Sequence, residues 1–200
     1  MNNLSRPLYV RYLSAIFCLG LATLAVTLIS WLPVPDGWTV WVKRTFTVGN
    51  ILCLFLLTPV NPRYRKSAFF RTAIFCCTIL SLLIGRFLPP ILISLVSFAL
   101  SIPACWHLYR AHSELISAHN EKLAQNWQRL FWWELAFTVV STVISTVSYL
   151  WVTVLPQTSF AVISVFTTVS SWLIVILQAV LTAVSLVFLF LTIKIWKQQA

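Results

Sequence analysis

His107, His112 and His119, with Glu114, Glu121 and Glu134, are the side chains in this chain best suited to move a proton or hold a metal. Their spacing argues against a metal. His112 and His119 stand seven residues apart, which on a helix separates the rings by about 10.5 Å along the axis. One ion cannot bridge that gap; the i, i+4 spacing of a paired-histidine zinc helix is needed. His107 and His112, five apart, point in different directions. A hydrolytic or lipid-modifying site would have to use His107, Glu114 and Glu134, which match no catalytic pattern. No Walker A loop, G-x-G-x-x-G or G-x-S-x-G occurs, so nucleotide use and serine hydrolysis have no support. The expectation is a protein that is not an enzyme and holds no metal or cofactor. Cys18, Cys53, Cys76, Cys77 and Cys105 lie within or at the ends of apolar runs and read as small buried hydrophobes.

Hydroxyl and amide groups are richer. Ser164, Thr168, Ser171, Gln178, Thr182 and Ser185 follow near-helical steps and form one polar stripe in the last apolar stretch. Thr138, Thr142 and Thr146 recur every four residues in the stretch before it, with Ser141, Ser145 and Ser148 alongside. Within a membrane such groups either let helices pack closely or line a polar path. Gln178 separates the two uses best, because an amide at mid-span needs a partner or water.

The elements that must carry these residues follow from composition. The 200 residues are 60% hydrophobic and 9% charged, with a mean hydropathy of +0.90. Soluble domains carry about 25% charged residues, so this chain cannot cover a water-facing surface. Continuous apolar runs of about twenty residues indicate spanning helices and exclude an alternating β-barrel. The net charge of +10 then reads as membrane-orienting charge rather than a nucleic-acid footprint.

The fold class expected is an all-α polytopic bundle of six spans, at about 13–32, 42–60, 70–87, 91–108, 131–155 and 172–196. A cytoplasmic amphipathic helix over about 109–130 should join spans four and five, either lying on the inner leaflet or projecting as part of a helical hairpin. In it Ile116, Leu123, Trp127 and Leu130 share a face, and Arg110 and Glu114, four apart, can pair. The Pro33-Val34-Pro35 and Leu88-Pro89-Pro90 stretches mark outer turns; the latter would equally suit a re-entrant pair in place of spans three and four. With both termini in the cytoplasm, eleven of the fourteen Lys and Arg residues fall inside, leaving Lys43, Arg44 and Arg86 outside. All ten tryptophans then lie near an interface.

These readings converge on a non-catalytic subunit of a bacterial-type inner membrane, a homo-oligomer or part of a larger membrane complex. It would assemble through the Ser/Thr/Gln-rich spans five and six. Arg110, Glu114, Glu121 and Trp127 would present the connector to a soluble cytoplasmic protein. Arg63, Arg65, Lys66 and Arg71 would hold anionic lipid headgroups. The alternative is a channel or pore-forming effector lined by the span-six stripe. An interfacial lipid-modifying enzyme comes third.

Overall fold

A computed structural model describes residues 5–29, 36–84, 90–154 and 160–198. Every regular element among them is helical: α1 (Ser5–Ile29), α2 (Asp36–Leu56), α3 (Pro62–Ile84), α4 (Pro90–Ser117), α5 (Glu121–Val154) and α6 (Phe160–Gln198). Four contain segments long and apolar enough to cross a membrane: Tyr9–Ile29, Ile91–Ile116, Glu121–Trp151 and Ser164–Gln198. The chain is a membrane-embedded helical bundle. The turns at 33–35 and 88–89, Arg86, and the break before Phe160 lie outside the described residues. At 39 residues, α6 is roughly 58 Å long, well beyond the apolar thickness of a bilayer. The residues from Phe160 to Ser171 extend this one helix.

Helix boundaries have local causes. Asn61 caps α3, its Oδ1 accepting the Arg63 backbone N–H at 2.9 Å, and Pro62 occupies the first helical position, where a missing N–H costs nothing. Asn120 caps α5 in the same way, accepting the Leu123 N–H at 2.9 Å. This cap corrects the single connector helix expected over 109–130. The stretch is broken at Ala118–Asn120, where the Ile116 carbonyl accepts both the His119 and Asn120 N–H groups. The polar island is thus the tip of the α4–α5 hairpin. Leu123, Trp127 and Leu130 share a buried face of α5, and Ile116 joins them in the core from α4, across the break.

Each helix packs on its neighbours in the chain, and α6 returns to α1, closing a ring. Neighbours run antiparallel. Tyr9 meets Trp196 while Phe17 meets Phe190, and Trp127 meets Phe188 while Trp151 meets Phe166. Close approach between α1 and its two partners uses glycine. A Cβ on Gly20 would sit 2.6 Å from Leu186 Cδ2 on α6, and one on Gly49 of α2 would sit 3.1 Å from Leu19 Cδ1. In lipid, such close packing holds helices together where the hydrophobic effect cannot.

The core lies at one end of the ring. It gathers Tyr9 and Leu13, Leu54 and Leu57, Tyr64 and Ala68, Tyr109 and Ile116, Trp127 and Leu130, and Leu189 and Trp196. These come from the start of α1, α3 and α5 and the end of α2, α4 and α6. Trp127 is the hub. Its ring stacks on His112 at 4.5 Å and 20°, and its Nε1 donates to Thr192 Oγ1 at 3.2 Å. One indole therefore ties α4, α5 and α6. At the other end, described residues are mostly exposed or half-buried, with Val26 and Thr39 the buried exceptions.

Candidate functional site

A ring without a central helix must fill its middle with side chains or leave space. Above the aromatic core it leaves space. A cavity of about 230 Å³ is lined by residues from all six helices, with Asn50, Arg71, Tyr109, His112, Glu134 and Gln178 among them. A second, of about 600 Å³, is lined by α1 to α5 and includes Lys43, Arg44, Thr47, Thr78 and Ser101. Asn50, Arg71 and Glu134 line both; they stand where the two spaces meet. Together the cavities form one polar chamber.

Helical periodicity puts these groups on the inner faces. On α2, Lys43, Thr47, Asn50 and Leu54 recur at steps of three and four, the signature of one face. On α3, Tyr64, Ser67 and Ala68 are wholly buried, and Arg71, Ile74, Phe75 and Thr78 continue the same face into the chamber. At 100° per residue, Arg71 lies about 20° from Tyr64 but about 120–140° from Arg65 and Lys66. Ser67 Oγ donates to the Ala104 carbonyl at 2.8 Å, fixing α3 against α4 one turn from Arg71.

Within the chamber, Tyr109 Oη donates to Glu134 Oε2, and Cys105 Sγ lies 4.0 Å from Glu134 Oε1. No ion pair joins Arg71 to Glu134 among the described residues, although both line the same space. Arg71 Nε is enclosed and has no hydrogen-bond partner there. Below the chamber, Tyr64 Oη and His112 Nδ1 share a hydrogen bond of 3.0 Å. Burial pushes the Tyr64 phenol well above its usual pKa, so it remains a neutral donor or acceptor. The arrangement offers a cation, an engaged carboxylate and two amides, Asn50 half-buried and Gln178 exposed, around a partly open space.

The residues singled out in the sequence are distributed unevenly. Gln178, Thr182 and Ser185 line the deeper cavity. Ser164, Thr168 and Ser171, the far half of the same stripe, are exposed. Most hydroxyls bond back to their own helix, Thr138 to the Glu134 carbonyl, Ser171 to Thr167 and Thr182 to Gln178, which makes them inexpensive to bury. Thr142 is half-buried and Ser145 exposed; Ser145 lines a small groove with Ser94 and Tyr149.

At the hairpin tip, Arg110 pairs with Glu114 at 3.1 Å, as their spacing implies. Glu114 also takes Arg63 Nε at 2.9 Å and the Asn61 amide at 3.1 Å, bonds across 51 and 53 residues that no local pattern announces. Glu121 is exposed, held to Gln125 at 3.3 Å. Trp127 is 2% exposed, so it is a core residue and offers no docking surface. The basic cluster also divides. Arg65 and Lys66 are exposed, Arg63 is committed to Glu114, and Arg71 turns into the chamber. His107, Glu114 and Glu134 sit in three settings: His107 stacks on Phe70 at 6.1 Å, Glu114 on the arginines, Glu134 on Tyr109. Among the described residues no three His, Cys, Asp or Glu side chains group as metal ligands.

No protein-family model, curated protein or solved structure matches this chain.

Proposed function

We propose that the protein is a non-catalytic, channel- or carrier-like membrane protein whose polar chamber holds a small solute within the bilayer. The observation that carries this reading is the cavity lined by all six helices, to which α2 through α6 each contribute polar groups. Polar side chains are expensive at membrane depth, and where they converge on one space they mark a pathway or a binding site. Packing alone would scatter them along helix contacts. Gln178, Thr182 and Ser185 belong to the chamber on this reading.

The topology that goes with it has six crossings and both termini in the cytoplasm of a bacterial-type inner membrane. The sealed end supports that orientation: Arg11, Arg63, Arg65, Lys66, Arg110, Lys122, Arg129, Lys194 and Lys197 belong to helix ends or turns there, against Lys43 and Arg44 towards the other. Positive charge accumulates on the cytoplasmic side. Arg65 and Lys66 would rest on anionic lipid, and the exposed Glu121 leaves the hairpin tip available to a soluble partner.

A second reading is favoured by the exposed half of the stripe. Ser164, Thr168 and Ser171 are exposed, and uncovered small polar residues suit helix–helix contact between copies. Assembly and conduction are compatible, and one experiment separates their dependence on Gln178. Purified protein in liposomes is expected to pass ions or small solutes, and Gln178→Leu to change that flux by about fivefold, the effect of one hydrogen bond of about 1 kcal/mol. No flux at any voltage or pH gradient, from a folded protein, would overturn the conduit reading and leave an assembly subunit.

A further inference from the structure

We infer that Arg71 is the centre of an oxyanion-binding site in the chamber, built for the phosphate or carboxylate end of an amphiphilic molecule. The inference rests on the reading of the chamber as a solute compartment and adds the chemical class of its occupant.

Three observations carry it. First, Arg71 Nε is enclosed and unpartnered. A buried donor on a charged group costs more to leave unmade than a neutral one, so the site calls for an acceptor. The one carboxylate lining the chamber, Glu134, is engaged by Tyr109 and forms no ion pair with Arg71. A guanidinium presents its N–H groups as a planar fork that matches an oxyanion edge to edge.

Second, the field in the larger cavity favours an anion. Among the described residues Arg44 and Arg71 line it with one acid, Glu134, which Tyr109 already engages, and Lys43 stands at its outer part. Arg44 is steadied over the Trp41 ring, 5.0 Å from its centroid. Lys43 lies about 10 Å from the level of Asn50 along α2, so the cations lead from the less packed end towards Arg71. In a low-dielectric enclosure such charges act with little screening.

Third, the walls are not polar throughout. Ile51, Ile74 and Phe75 share the cavity with the cations, and about 600 Å³ falls within the roughly 300–1,000 Å³ of ligand sites. A bare inorganic ion would leave that apolar surface unmatched. An oxyanion with an apolar body covers both.

The test uses the full chain in neutral detergent and in phosphatidylcholine nanodiscs, probed with inorganic phosphate and with phosphatidic acid. At least one probe is expected to raise the melting temperature of the wild type. Arg71→Gln should weaken that response by at least about tenfold in apparent affinity, as losing a charge-assisted hydrogen bond does. Arg71→Lys, which keeps the charge and loses the fork, should fall between. Lys122→Gln, exposed at the hairpin tip, should respond as wild type. A response to phosphatidic acid alone identifies a lipid headgroup, and a response to phosphate alone a free oxyanion; both support the site. No response of the wild type to either probe overturns it, whether or not the variants fold, and so does an Arg71→Gln response equal to wild type. Flux of an uncharged solute separates this inference from the conduit reading. Flux indifferent to both anions and to Arg71 removes only the oxyanion site; anion binding at Arg71 without flux removes only the conduit.

Discussion

Single residues in this protein act through the face they occupy more than through the company they keep in sequence. Arg71 stands five residues from Lys66 and was grouped with the basic cluster on that ground, yet the helical period separates them by about 140°. The information was in the sequence as a phase: Tyr64, Ser67, Ala68 and Arg71 fall on one side, Arg65, Lys66 and Phe69 on the other, and only the latter three are exposed. Glu134 was hidden for another reason. Its partner Tyr109 comes from a different helix, 25 residues away, and spacing along α5 carries no trace of it. Trp127 illustrates the opposite case, where the face it shares with Leu123 and Leu130 on α5 was legible but its depth was not. Its contacts to three helices make it the most sensitive position in the core. Trp127→Ala is expected to destabilise the bundle by about 3–5 kcal/mol, measured by denaturation in detergent. Trp127→Phe, losing mainly the hydrogen bond to Thr192, should cost only about 1 kcal/mol.

At the level of helices, hydrophobic runs were a good guide. Six spans and a separate connector helix were expected; the described residues form six helices, four of them long and apolar enough to cross a membrane, because a lipid environment forces backbone groups to bond within each segment. The hairpin was one expected arrangement of the connector, but the break at 118–120 escaped because the usual punctuation, Gly or Pro, is absent between Ala104 and Leu155. Asn120 does the work of a break by capping the next helix, a role it shares with Asn61. Contacts between helices were not legible, since Gly20 and Leu186 lie far apart in the chain and meet only when the ring closes. Their fit is a prediction in itself. Gly20→Val would drive branched carbons into the place where Leu186 Cδ2 already stands. It should lower stability by about 1–3 kcal/mol through overpacking, with loss of α1–α6 cross-linking as the direct readout. An unchanged melting temperature would mean that Leu186 moves aside freely.

The described residues form a ring packed at one end by an aromatic core, with two cavities above it. That asymmetry makes a prediction about sidedness. In a variant whose five native cysteines are replaced, a membrane-impermeant maleimide should label Thr47→Cys from one side of the membrane. Tyr109→Cys, beneath the junction of the two cavities, should resist labelling from the opposite side. Equal labelling of Tyr109→Cys from both sides would show that the aromatic core does not seal. Neither the seal nor the hollow could be read from the sequence, because both depend on which helices are neighbours, and hydropathy carries no information about adjacency.

The closing of the ring has a further bearing on biogenesis. Its seam is the contact between α1 and α6, the pair farthest apart in synthesis. Until α6 is inserted, the first five helices can form only an open arc, with Asn50, Arg71 and Glu134 turned towards lipid or towards whatever escorts the nascent chain. Contacts this distant in sequence form late and slowly. The interval between the fifth helix and the sixth is therefore when this chain is most exposed to membrane quality control, and when an insertion chaperone would have most to shield.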